Sequence, residues 1–234
     1  MSKRSEIIEG NVAETAFYGL IYTEVLRWID LGHAQGKDIR NLFRAIEAGE
    51  ASGQAYYDVT YSQSMRSYIF NTKTGKFITW RIKHGHSHHE RQSIALGMMV
   101  SLVQKFEGLQ ASFPLNMVTD SGFSGEDLVS DLLGFYRVIS DHNVFTCLKP
   151  VSKKEALKRW DHYGKIGAWK NRGFTPILFP DPDKYPHARP HEGVLPAFML
   201  TVRPWSDFQS GKVKIATADG SYLDKAKGGT LPYA

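Results

Sequence analysis

"NVAETAFYGLIYTEVLRWIDLGHA" (11–34) decides how the rest of the chain is read. Its apolar residues Phe17, Leu20, Ile21, Val25, Trp28 and Ile29 recur at helical spacing, and Gly32 stands where a helix would stop. With about 100° per residue and Phe17 as origin, Ile21 and Trp28 fall within about 40° of it, and Glu24 falls at roughly 340°, inside the apolar stripe. A carboxylate there is costly unless it is paired, hydrogen-bonded, protonated or facing a wet pocket. Burial would also raise its pKa towards the range of a general acid. Two roles fit: a satisfied structural carboxylate, or a catalytic one. Asp30 lies on the opposite, solvated side of the expected helix, and His33, past Gly32, is free to fold back towards a pocket.

Downstream, "KDIRNLFRAIEAGEASG" (37–53) predicts a second helix with Asp38 as N-cap and Gly49 as its end. From 55 to 83 the residues turn aromatic and β-branched, and "NTKTGK" is a natural turn, so a small antiparallel sheet is expected. "RQSIALGMMVSLVQKFEGLQ" (91–110) is the most apolar helix candidate and is expected to form the buried centre. Its remaining arc carries Gly97, Ser101 and Gln104, with Glu107 at the edge, which reads as a close packing contact or a pocket wall. "FEGL" (106–109) resembles the opening of a phage-type lysozyme helix in which a Glu supplies the acid. Further helices are expected over 122–140, with Ser124 and Asp127 in a near capping box, and over 152–167, capped by Ser152.

Seven of the ten prolines fall between Pro176 and Pro204. They exclude long helices and predict an extended wrap, with an edge strand over 195–203 and a loosely ordered tail from 220. The expected fold is therefore α+β: a mostly helical core around 91–110, a small antiparallel sheet over 55–83, and a Pro-rich C-terminal wrap. It is read as a single domain, 1–234, with a core to 172 and an extended segment over 173–234.

"KHGHSHHERQ" (83–92) holds four of the nine histidines. It begins like a zinc-protease helix, but Ser93 stands where the second histidine belongs. The run is read as a polar strand-to-helix loop, no metal is assigned, and no cofactor is expected. A metal-dependent enzyme using the 84–90 histidines stays open as an alternative. The single cysteine, Cys147, excludes an internal disulfide. No stretch has the roughly 18 apolar residues of a membrane span, and the first twenty lack the apolar run of a secretory signal. A protein made in soluble form is expected, with export to the periplasm or envelope by a signal-free route. The net charge of +5 suits an anionic polymer, but the basic residues are dispersed and match no nucleic-acid motif, so sequence-specific nucleic-acid binding is not expected.

Three stretches, "GLIYTEVLRWIDLGHA" (19–34), "GFSGEDLVSDLLGFY" (122–136) and "EALKRWDHYGKIG" (155–167), together resemble the bacterial domain of unknown function 4056 family, found in envelope-associated proteins. In that family a Cys commonly stands at the position of Glu24 and a His-Glu pair at Gln104 and Lys105, while the segment Asp30 to His33 is kept. The resemblance implies a bacterial origin, a link to the cell envelope and a pocket between the first and central helices. With the residue-level reading, it leads to a hydrolase of an envelope polymer such as peptidoglycan, glycosidase- or amidase-like, and fitting a secreted antibacterial effector. Glu24, His33 and Glu107 are the catalytic candidates, and Asp30, Ser101 and Gln104 the substrate-binding ones. An immunity or chaperone protein is the expected partner. A non-catalytic binding module using the same groove is the other alternative.

Overall fold

In the computed structural model, which describes residues 2–67, 72–110, 124–171 and 173–225, the opening stretch is a β-hairpin and not a helix. At 64–67, 72–74, 104, 106–110 and 218–225 the description is of the backbone alone. Strand β1 (Leu20–Thr23) pairs antiparallel with β2 (Arg27–Asp30), Leu20 opposite Asp30 and Thr23 opposite Arg27. Arg27 takes a left-handed backbone (φ 68°), and Thr23 Oγ1 accepts the N–H of Leu26 at 2.9 Å. This is the closing geometry of a three-residue hairpin loop.

All four residues of β1 are buried. A strand covered on both faces shows no alternation and reads as a continuous apolar run, which helical spacing then fits by coincidence. The error matters for Glu24, which sits in the hairpin loop and is exposed. The apolar stripe that was to hold its carboxylate does not exist.

The chain divides into two compact units, each built from two separated segments: Met1–Lys37 with Gly122–Thr201, and Asp38–Ser121 with Val202–Ala234. The division does not fall at residue 172. In the first unit, the β1–β2 hairpin packs into an aromatic cluster. Trp28 meets Tyr22, Trp160 and Phe179 edge-on, with ring centroids 5.2, 6.0 and 6.4 Å apart. Tyr22 donates its hydroxyl to the Phe179 carbonyl (2.9 Å) and accepts the Phe179 N–H (3.1 Å), so its buried hydroxyl is satisfied on both sides. Helix α3 spans Asp127–Ile139 and α4 spans Lys153–Tyr163. Ser152 caps α4 as expected, its side chain accepting the Glu155 N–H. In the Pro-rich segment, Ile177–Leu178 pairs with His191–Glu192, and 195–203 holds a 3-10 turn, Ala197–Leu200, in place of the expected strand.

In the second unit, helix α1 (Lys37–Ala51) precedes the long hairpin β3 (Tyr56–Ser67) and β4 (Thr72–Lys83). Their register runs from Tyr56 opposite Lys83 to Ser67 opposite Thr72. Asp38 lies inside α1, where it accepts the Tyr61 hydroxyl, and is not its N-cap. A third strand, Val213–Lys225, pairs antiparallel with β4 where a loose tail was expected. Helix α2 (His88–Gln110) contacts β3 and β4 and buries Ile94, Leu96, Met98, Met99, Leu102 and Val103.

The small side of α2 is explained within this unit. A Cβ on Gly97 would come within 2.3 Å of the Trp205 carbonyl oxygen, and Ser93 Oγ donates to the Arg203 carbonyl at 2.7 Å. At Gly97 the helix is in close contact with extended chain. Antiparallel sheets and four α-helices among the described residues make the fold α+β, and none of those helices is long and apolar enough to cross a membrane.

Candidate functional site

Strand β2 ends at Asp30, and the next six residues set up the site. Asp30 Oδ1 accepts the N–H groups of Gly32 (2.7 Å) and His33 (3.4 Å), turning the chain into a 3-10 turn, His33–Gln35. Gly36 closes the turn at φ 60°, and a Cβ there would lie 2.4 Å from the Gly134 carbonyl oxygen of α3. Only glycine permits both the left-handed backbone and that approach. Ser130, fully buried, donates to the Glu126 carbonyl (2.6 Å) and accepts the Asp30 N–H (2.9 Å), tying the end of β2 to the same helix.

The turn is thereby held against the face of α3 that carries Asp127 and Asp131, four residues apart. His33 Nδ1 lies 2.9 Å from Asp131 Oδ1, and Nε2 lies 3.8 Å from Asp127 Oδ1. Burial works against the imidazolium, but Asp131, Asp127 and Asp30 outweigh it and push the His33 pKa up to about 10. With 45% of its side chain exposed, water screens part of that attraction. Asp127 Oδ2 accepts the Ser124 N–H at 2.9 Å, the backbone half of the expected capping box.

Behind this face Glu126 is completely buried. Ser2 donates to its Oε1 at 2.5 Å, while Oε2 and the Ser124 hydroxyl have no partner among the described residues. Burial, then the neighbouring Asp127 charge, pushes the Glu126 pKa above the usual carboxylate range. A protonated Oε2 donating to Ser124 would satisfy both orphaned atoms. Phe17 and Tyr18 lie at the rim, 71% and 81% exposed. Their loop is held by the Gln35 amide, whose Nε2 approaches the carbonyls of Ala16, Phe17 and Leu31 at 3.0–3.3 Å.

Of the candidates named from sequence, the structure joins His33 and Asp30. Glu24 is exposed in the β1–β2 loop. Ser101 is half-buried on α2 in the second unit, and the side chains of Gln104 and Glu107 lie outside the described residues. Glu126, Asp127 and Asp131 were not named as site residues. Their one signal was the pair of aspartates at helical spacing within "GFSGEDLVSDLLGFY".

Of the histidine run, His84 and His86 lie in the link between β4 and α2, while His88 and His89 open the helix itself, three residues earlier than the expected start at 91. Glu50 accepts the Tyr57 hydroxyl (2.9 Å) and the N–H groups of Gly85 (3.0 Å) and His86 (3.4 Å), with His84 Nε2 3.7 Å away. Glu90 accepts the N–H and hydroxyl of Ser87, completing a capping box for α2. Among the described residues no group of three or more His, Cys, Asp or Glu side chains converges to hold a metal ion. Comparison with known protein families, characterised proteins and solved structures finds no match for the chain.

Proposed function

We propose that the protein is a hydrolase of a bacterial cell-envelope polymer, with peptidoglycan as the substrate class, and that His33 and Asp127 carry its proton transfers. The observation that supports this most is a half-exposed imidazole held between two carboxylates, Asp131 at 2.9 Å and Asp127 at 3.8 Å. With its pKa raised, His33 is a proton donor at neutral pH and not a base. Asp127 takes a proton from the attacking water, whose hydroxide joins the electrophilic carbon of the glycosidic or amide bond. His33 gives its proton to the leaving oxygen or nitrogen and recovers one from Asp127, so the protons balance. Asp131 fixes the ring. The envelope assignment draws on the family resemblance and the net charge of +5. Export by a signal-free route and a protective immunity or chaperone partner belong to the same proposal.

A binding module at the same surface is the second reading, favoured by the exposed Phe17 and Tyr18. Release of soluble fragments from purified peptidoglycan separates the two. Catalysis predicts a loss of about 100-fold or more in His33→Asn and Asp127→Asn, with melting temperatures near that of the parent. Undiminished release by both variants, or none by the parent protein, would end the catalytic reading.

A further inference from the structure

Resting on that reading of the site, we infer that Glu126 is a positioning residue for Asp127, acting through a hydrogen bond from its Oε2 to the Ser124 hydroxyl. These two atoms have no partner among the described residues, although both side chains are almost wholly buried, at 0% and 4% exposure. The Ser124 hydroxyl is among the groups that act on the carboxyl, and Ser2 already occupies Oε1, so Oε2 is the oxygen left for it. Ser124 is in turn clasped to Asp127: its N–H donates to Oδ2 (2.9 Å) and its carbonyl accepts the Asp127 N–H (3.2 Å). With Oδ2 engaged there, Oδ1 is the atom that meets His33 Nε2 at 3.8 Å. Behind the turn, the Ser124 backbone bridges Lys170 and the Asn171 amide donates to the Gly125 carbonyl (3.2 Å). The backbone is thus held on both sides, and a Glu126 hydroxyl supplies the missing hold on the serine side chain.

Glu126 also reaches the other half of the site. Its carbonyl accepts from Ser130 (2.6 Å), which accepts the Asp30 N–H (2.9 Å) at the start of the His33 turn. A carboxyl that donates must carry its proton, and burial together with the Asp127 charge favours that form. The ionisable groups around it are Asp127 on its own helix, His33 across from Asp127, and Lys170, an exposed residue on the segment bridged to Ser124. When Glu126 ionises, Oε2 becomes an acceptor, the Ser124 hydroxyl must turn to serve it, and a second negative charge appears beside Asp127. The working arrangement therefore has an alkaline limit set by Glu126, separate from the one His33 sets as proton donor.

The test follows the Ser124 amide, the donor to Asp127, and the Glu126 carboxyl by NMR of the isotopically labelled full chain from about pH 4 to about pH 9. In the parent the amide should shift in a step that coincides with the Glu126 titration, above the usual carboxylate range. In Glu126→Gln, whose amide donates to Ser124 at every pH, that step should vanish. Fragment release from purified peptidoglycan is the second readout. Glu126→Ala and Ser124→Ala should each slow it about ten-fold at saturating substrate, and the double variant no further, since both remove one link. Glu126→Gln should recover most of the rate and lose the fall that accompanies the Glu126 titration in the parent, a change of pH profile that altered stability alone does not produce. Should Glu126→Ala fail to fold, Ser124→Ala and Glu126→Gln carry the comparison. A Ser124 amide unmoved as Glu126 titrates, additive losses in the double variant, or a Glu126 carboxyl that ionises within the usual range would overturn the inference. If Ser124→Ala and Glu126→Ala release fragments as the parent does while His33→Asn does not, this inference falls and the catalytic reading stands. If the parent releases none but the Ser124 step follows Glu126, the positioning stands and the catalytic reading falls.

Discussion

Glu50 and Glu126 are both withdrawn from water, one in each compact unit, and they titrate in opposite directions. Burial pushes both upward. For Glu50 three donors reverse it: the N–H groups of Gly85 and His86 and the Tyr57 hydroxyl hold the carboxyl below its usual range. Glu126 lies deeper: burial is the largest influence on it and, with the neighbouring Asp127 charge, outweighs its donors, of which Ser2 is the clearest, so its pKa rises. Depth and the neighbouring charge, set against the donors present, decide whether a carboxyl is a charge or a neutral acid.

The largest effect should come from Glu50→Ala. It strands two backbone N–H groups and a buried tyrosine hydroxyl, and should cost roughly 2–3 kcal/mol in urea unfolding near neutral pH. Because the folded pKa is depressed, the part owed to ionisation is present above the unfolded value of 4.5 and fades as pH falls through the folded one. A cost that did not shrink in acid would break the contrast.

Glu126→Gln should act the other way and more weakly. A raised folded pKa means that native Glu126 is penalised as pH climbs past the unfolded value of 4.5, because ionising in place is harder than ionising in the open chain. The glutamine variant should therefore gain on the order of 1 kcal/mol at neutral and alkaline pH, with the gain closing in acid. Lower stability at alkaline pH would show that Glu126 is ionised and satisfied. Glu24 supplies the third, solvated member of the series. Glu24→Ala should change unfolding free energy by less than about 0.5 kcal/mol and leave fragment release unchanged.

The same contrast marks what could be read from sequence. The β3–β4 hairpin was legible from its aromatic and β-branched residues, although "NTKTGK", read as its turn, belongs to β4 from Thr72 onward; α4 was legible because Ser152 is a local cap. The β1–β2 hairpin was not, since burial on both faces erased the alternation that separates strand from helix. Strand 213–225 contains Ala, Asp and Gly, poor strand formers, and draws its support from β4, more than a hundred residues upstream. At the site, Asp30 and His33 stood out next to a glycine stop. Asp127 and Asp131 gain meaning only from His33, far upstream along the chain, and no local pattern carries that pairing.

The interleaving of the two units bears on how the protein is made. A ribosome delivering this chain would have released its first 37 residues long before helix α3, their packing partner, emerged. Strand β4 would likewise wait for its outer neighbour until 213–225 left the exit tunnel. Neither unit can close until its second segment has been made, and the apolar side chains of the β1–β2 hairpin are uncovered in the interval, a natural point for a holding chaperone to act.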